Sequence, residues 1–300
     1  MEDQSLVATI ILPISLIVIM LSLGLGLTPA DFRRVILYPR GVAIGLGNLL
    51  LISPLLAFAM AELFGLPAAL AVGIVLLGAS PGGAMANMLT HLARGDVALS
   101  VTMTAISSVA AVITVPVFLG LAVSHFGSGV ESDPEMLSIV ARVFVITLIP
   151  LGLGMLLRAR RTEWVIENYD RARRAALGFF FVAVIVAIAV EYERVLDNFT
   201  DVAAATIALN LIAMTISFTV AKFARLNDRQ ATAISMELGI HNATLAIAVA
   251  STISIELAIP AAVYSSFMFI SAGTLARIMH RRNAAASLQE PALATSPSPS

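Results

Sequence analysis

The chain has 300 residues, of which 59% are hydrophobic and 12% charged, and its mean hydropathy is +0.94; a soluble domain carries roughly twice that share of charge. A net charge of -1 and the lack of any basic patch interleaved with aromatics argue against a nucleic-acid partner. With no cysteine, disulfides, thiolate metal sites and thiol nucleophiles are excluded.

An apolar run of about 20 residues is enough to cross a hydrocarbon core. The sequence predicts about nine such spans, at 7–27, 41–62, 67–91, 97–123, 136–158, 174–193, 199–222, 229–252 and 257–280. The fold class is therefore an all-α polytopic membrane protein, with residues 1–283 as a single transmembrane domain. The N-terminus has neither a basic start nor a small-residue cleavage site, so 7–27 reads as a retained span and not a signal peptide. The tail 284–300 is small, polar and proline-containing, and is expected to be disordered.

Linker arginines set the orientation, because positive charge is retained in the cytoplasm. Arg33, Arg34 and Arg40 follow the first span, Arg94 the third, and Arg158, Arg160, Arg161, Arg171, Arg173 and Arg174 the fifth. Lys222, Arg225 and Arg229 follow the seventh, and Arg277, Arg281 and Arg282 close the ninth. The opposite linkers hold Glu62, SGVESDPEM and EYERVLDNFTD, with Arg194 the main basic exception. The N-terminus is thus expected outside and the C-terminus in the cytoplasm. Lys222 is the only lysine, which hints at a GC-rich bacterial gene and so at a bacterial inner membrane.

Two spans are interrupted. Span three contains ASPGGAMAN (79–87), where Pro81 removes a backbone donor and Gly82 and Gly83 permit departure from the helix. Span eight contains MELGIHN (236–242), built around Gly239. The breaks occupy corresponding places if spans one to four match six to nine with 136–158 extra, and the odd offset inverts the second copy. Broken helices at matching positions of inverted repeats point to a transporter's binding site, where freed carbonyls and half-helix ends meet ions and substrate. Glu237 is the only acidic residue near the centre of a predicted span, and no lysine or arginine lies deep enough to pair with it. A charge there is costly, which leaves a bound cation or a proton as its partner. Asn87 lies just past the first break, and Ser100 and Thr104 share one face of span four; such oxygen ligands suit a small hard cation.

LGLGLTPADF (23–32), ASPGGAMANM (79–88), ARGDVALSVTMTA (93–105) and ELGIHNATLA (237–246) together resemble the bile acid:sodium symporter family. The resemblance implies panel and core domains, two crossing broken helices and sodium-coupled symport of an organic anion by alternating access. It implies sodium as coupling ion and no further cofactor. The resemblance implies that the first helix of the ten-helix bacterial form is not among the predicted spans. Residue by residue, the resemblance assigns a first sodium site to Asn87, Ser100, Thr104 and Glu237, with Ala86 where the family has a serine. A second site would use Glu237, the backbone carbonyls of Leu238 and Ile240, and two glutamine positions that are Leu49 and His241 here. Asn242 falls where the family faces its substrate. Two variants of this reading stay open. His241, four residues from Glu237, shares its face if the backbone is near-helical, and the pair would then carry protons in place of the second sodium; the preferred alternative to this is a neutral histidine satisfied by a carbonyl. Metalloid efflux on the same fold is the other, disfavoured by the lack of cysteine. An enzyme is not expected, since ELGIH lacks the second histidine of a zinc-protease helix and no G-x-S-x-G elbow occurs. A sensor would need an output domain larger than the 159–173 linker.

Overall fold

A computed structural model describes residues 12–28, 36, 39–127, 134–190 and 199–294. The expectations for 7–11, Arg33, Arg34, Glu131, Asp133, Arg194 and 295–300 lie outside the described residues. Among the described residues the secondary structure is helical, with one isolated backbone bridge. In chain order, α1 is Leu12–Gly26, and α2, Pro39–Gly47, runs through a π-turn at Asn48–Ile52 into α3, Ser53–Leu63. Next come α4 (Ala68–Gly78), α5 (Ala84–Leu92), α6 (Val97–Phe126), α7 (Pro134–Arg160) and α8 (Thr162–Val190). The last four are α9 (Phe199–Phe223), α10 (Asp228–Gly239), α11 (Ala243–Ser251) and α12 (Ile259–Ala294), the last preceded by a 3-10 turn at Glu256–Ala258.

Four stretches are long and apolar enough to cross a membrane, Pro39–Leu63, Val97–Phe126, Val202–Phe223 and Glu256–Ala284, and Pro13–Gly26 and Ala68–Gly78 are shorter apolar helices. The molecule is a multi-pass membrane protein. Two helices run beyond the expected spans. The predicted linker 159–173 is helical from Thr162, because TEWVIENYDRARR has helix-forming residues and a stripe that buries Val165. Helix α12 runs to Ala294, past the expected end of the ninth span.

Helix α1 packs against α7 and α8. Its crossing with α7 is made by glycines: a Cβ on Gly24 would lie 2.2 Å from Leu151 O, and one on Gly154 2.3 Å from Leu21 O. Small residues let two backbones approach where apolar area alone gives no drive between helices. The π-turn follows from Pro54, which cannot donate a backbone hydrogen bond and crowds the preceding turn. Ser53 N–H reaches back to Asn48 O, while Asn48 Nδ2 donates to Ile44 O at 2.7 Å.

Three interhelical turns share a hydrogen-bond pattern common at helix ends. Phe64, Gly65 and Leu66 donate to Met60, Glu62 and Ala61; Ala224, Arg225 and Leu226 donate to Val220, Lys222 and Ala221; in the third, Ala93, Arg94 and Gly95 donate to Leu89, His91 and Thr90. Gly65 and Arg225 both take the left-handed conformation, φ +58° and 58°. Beside the second turn, Asp228 accepts from Lys222 Nζ at 2.5 Å and from Arg282 Nε at 3.0 Å, tying α9 and α10 to α12. The hydrogen bond from Lys222 holds the Asp228 carboxyl below its ordinary range, helped by the charge of Arg282. A depressed folded value means stability that is present above the unfolded pKa and lost as pH falls through the folded one. Asp228→Asn is expected to lower stability by about 0.5 kcal/mol at neutral pH. The difference from wild type should vanish in acid, as read by thermal unfolding in detergent across pH.

Candidate functional site

The two breaks meet. Helix α4 stops at Gly78 and α5 starts at Ala84; α10 stops at Gly239 and α11 starts at Ala243. Between them, Gly82 and His241 form an antiparallel bridge in which Gly83 N–H donates to Ile240 O at 2.7 Å and Asn242 N–H donates to Pro81 O at 2.8 Å. Each break satisfies backbone groups that the other frees, which is what unwound chain at membrane depth requires. Another carbonyl freed at the break, Gly239 O, accepts from Asn210 Nδ2 of α9 at 2.8 Å and from the Tyr264 hydroxyl of α12 at 2.9 Å. Asn210 and Tyr264 are fully buried. Neither was singled out by sequence reasoning, although a lone amide in the apolar span 199–222 was the available signal. Tyr264→Phe removes one of the two donors and is expected to cost about 1 kcal/mol in thermal unfolding.

Against this crossing sits an oxygen cluster. Asp96 caps α6 by accepting from Leu99 N–H at 3.1 Å, which fixes the helix start and sets Ser100 and Thr104 one turn apart on the face toward α10. Ser100 Oγ donates to Glu237 Oε1 at 2.6 Å and Thr104 Oγ1 to the same oxygen at 2.8 Å. Thr90, another residue not singled out from the sequence, donates to Ser100 Oγ at 3.4 Å. Asn87 Oδ1 lies 3.3 Å from Thr104 Oγ1. The four residues expected to form the first site are thus brought together. Thr104 has one proton and three acceptors within reach, Glu237 Oε1, Ser100 O and Asn87 Oδ1, so the cluster holds more acceptors than protons. Glu237 is fully buried, and its Oε2 has no partner among the described residues. That oxygen faces the break: a Cβ on Gly82 would lie 1.8 Å from it. A buried carboxylate with one unmatched oxygen, beside further acceptors, lacks positive charge. Asn87 and Thr104 are half-buried, which leaves the cluster an accessible side.

Apart from Glu237, the residues expected for a second site have partners outside the oxygen cluster. Leu49 is buried in an apolar cluster with Leu99, Met103 and Leu238. Ile240 O accepts from Gly83 N–H, and Leu238 O lies 3.4 Å from the Tyr264 hydroxyl. His241 does not share a face with Glu237, because α10 ends at Gly239 and the chain there is extended. Its Nδ1 lies 3.1 Å from Ser80 O, an acceptor only, so Nδ1 carries the proton and Ser53 Oγ–H donates to Nε2 at 3.1 Å. The imidazole pins α3 to both breaks. Asn242 Oδ1 accepts from Leu245 N–H at 3.0 Å and caps α11.

The sequence pattern of the Sodium Bile acid symporter family matches residues 13–198, a stretch that contains Asn87, Ser100 and Thr104 and ends before Glu237. The chain is 29% identical over 260 residues to the "Uncharacterized sodium-dependent transporter YocS" of Bacillus subtilis, covering 86% of this chain and 79% of that one. It is 28% identical over 270 residues to the "Probable sodium/metabolite cotransporter BASS1, chloroplastic" of Arabidopsis thaliana, covering 89% and 66%. To the "Hepatic sodium/bile acid cotransporter" of Homo sapiens it is 28% identical over 246 residues, covering 81% and 70%.

Proposed function

Because the chain belongs to the sodium bile acid symporter family, we propose that it is a secondary active transporter that carries an organic anion into the cell together with sodium. The observation that carries this reading is the carboxylate of Glu237, buried against two broken helices among hydroxyl and amide oxygens that outnumber their protons. Hard oxygens around one negative charge suit a small hard cation, and all three relatives are named for sodium. Sodium at Asn87, Ser100, Thr104 and Glu237 neutralises the buried charge and holds α5, α6 and α10 in one arrangement. With His241 hydrogen-bonded on both nitrogens away from Glu237, we read the imidazole as a fastening of the crossing and not as a carrier of protons.

The anion binds beside the cluster. The amino-terminal ends of α5 and α11 both start at the crossing, where helix dipoles favour negative charge. Asn242, committed on Oδ1 to its cap, offers its amide nitrogen as a donor. The relatives' names span bile acid and metabolite, so the class proposed is an organic anion. Sodium and anion then promote each other's binding by the same factor. Alternating access follows if α1, α7 and α8, which pack together, form the panel, and the broken helices with α6, α9 and α12 rock against it as the core. The reciprocal bonds of the two breaks support inverted repeats within nine spans. The arginine-rich linkers support a cytoplasmic C-terminus and an external N-terminus.

The test needs no knowledge of the substrate. Thermal unfolding of the detergent-purified protein is followed against sodium chloride, with choline chloride holding ionic strength constant. A ligand that binds only the folded state stabilises it by about 2.7 kcal/mol at 100 times its Kd. The expected result is a saturable rise in melting temperature specific to sodium; a flat response overturns sodium coupling at this site.

A further inference from the structure

A second feature lies on the far side of the crossing. Helices α9, α10 and α12 enclose a lateral groove of about 290 Å³, lined by Leu211, Thr215, Phe218, Ser235, Ser271 and Leu275 among others. Its hydroxyls are turned inward: Thr215 donates to Leu211 O, Thr274 to Ile270 O, Ser235 to Met214 O at 2.8 Å and Ser271 to Asn210 Oδ1 at 2.5 Å. With those protons spent, the wall offers methyl and methylene groups, so the groove suits an apolar chain. It lies along two membrane-crossing stretches, between Leu211, 50% exposed, and Ile278, 55% exposed, so it opens toward lipid.

One end is strongly basic. One turn beyond Phe218 and Ile278 come Lys222 and Arg282, and the Arg282 guanidinium stands 5.8 Å over the Phe218 ring. Asp228 takes Nε of Arg282 and a proton of Lys222 and so neutralises one charge of the two. Arg225 and Arg229, beside the turn between α9 and α10, and Arg277 and Arg281 on α12 are also exposed. Basic residues at the end of a groove between membrane helices are matched by a lipid phosphate. A free anion gains nothing from an apolar groove, and a neutral lipid nothing from the arginines.

We infer that this groove binds an anionic phospholipid, one acyl chain between α9 and α12 and the phosphate against Arg282 and Lys222. The site is separate from the sodium cluster and does not depend on the identity of the transported anion. To test it, phosphatidylglycerol or phosphatidylcholine with the same chains is titrated into the detergent-purified full chain. Thermal midpoints are recorded, and native mass spectrometry counts retained lipids. Phosphatidylglycerol should raise the midpoint saturably and phosphatidylcholine should not. Arg282→Gln and the groove-filling Thr274→Phe should each lose that rise, while Arg281→Gln, with the same change of charge, should keep it. Equal responses to the two lipids, an equal response to inorganic phosphate, or a rise that survives both Arg282→Gln and Thr274→Phe overturns the inference.

Discussion

In Glu237→Gln the melting temperature is expected to be independent of sodium while the protein stays folded. Glutamine has the same shape, and its amide oxygen can take the place of Oε1 and accept from Ser100 and Thr104, which now donate at 2.6 and 2.8 Å. What disappears is the negative charge, and with it the demand for a cation. A buried carboxylate short of partners costs several kcal/mol, so the variant in sodium-free buffer should be at least as stable as wild type. Sodium-driven uptake in proteoliposomes should fall to background. These two readouts separate a ligand from a merely structural residue, because a structural role would lower stability in both buffers. A sodium-dependent rise of wild-type size in the variant would remove Glu237 from the ion site.

The second large effect is expected at Gly82. Its Cα faces Glu237 Oε2 so closely that the Cβ of Gly82→Ala would sit 1.8 Å from that oxygen. Either the carboxylate swings away from Ser100 and Thr104, or the break spreads and the bonds from Gly83 to Ile240 and from Asn242 to Pro81 lengthen. Overpacking of this kind costs about 1–3 kcal/mol, and here it also dismantles the cluster. Loss of both stability and the sodium response is expected in thermal unfolding. Gly83→Ala should be milder, since its nearest contact is His241 O at 3.1 Å, and Gly47→Ala, with nothing within 4 Å, serves as control. An alanine at 82 with an unchanged sodium titration would mean that the close approach of break and carboxylate has no part in ion binding.

Local chemistry alone determined much of this protein. The apolar runs require a membrane solvent, Pro81 with Gly82 and Gly83 forbids a continuous helix through 79–83, and an isolated Glu237 among apolar residues demands a positive partner. The 3.6-residue period places Ser100 and Thr104 on one face before any tertiary structure is considered. All of these are properties of neighbours along the chain.

The partners across the chain were decided only by the tertiary structure. Ser100 meets Glu237 across 137 residues, and His241 meets Ser53 across 188; no local periodicity carries such pairings. The helical spacing of Glu237 and His241 would put them on one face of an unbroken helix, but the break at Gly239 and Ile240 pairs its backbone with the other break and directs the imidazole toward Ser80 and Ser53. The roles of Asn210 and Tyr264 could not be read from the sequence for the same reason. Their role exists only because a half-helix ends beside them with a carbonyl, Gly239 O, that has no helical partner at membrane depth.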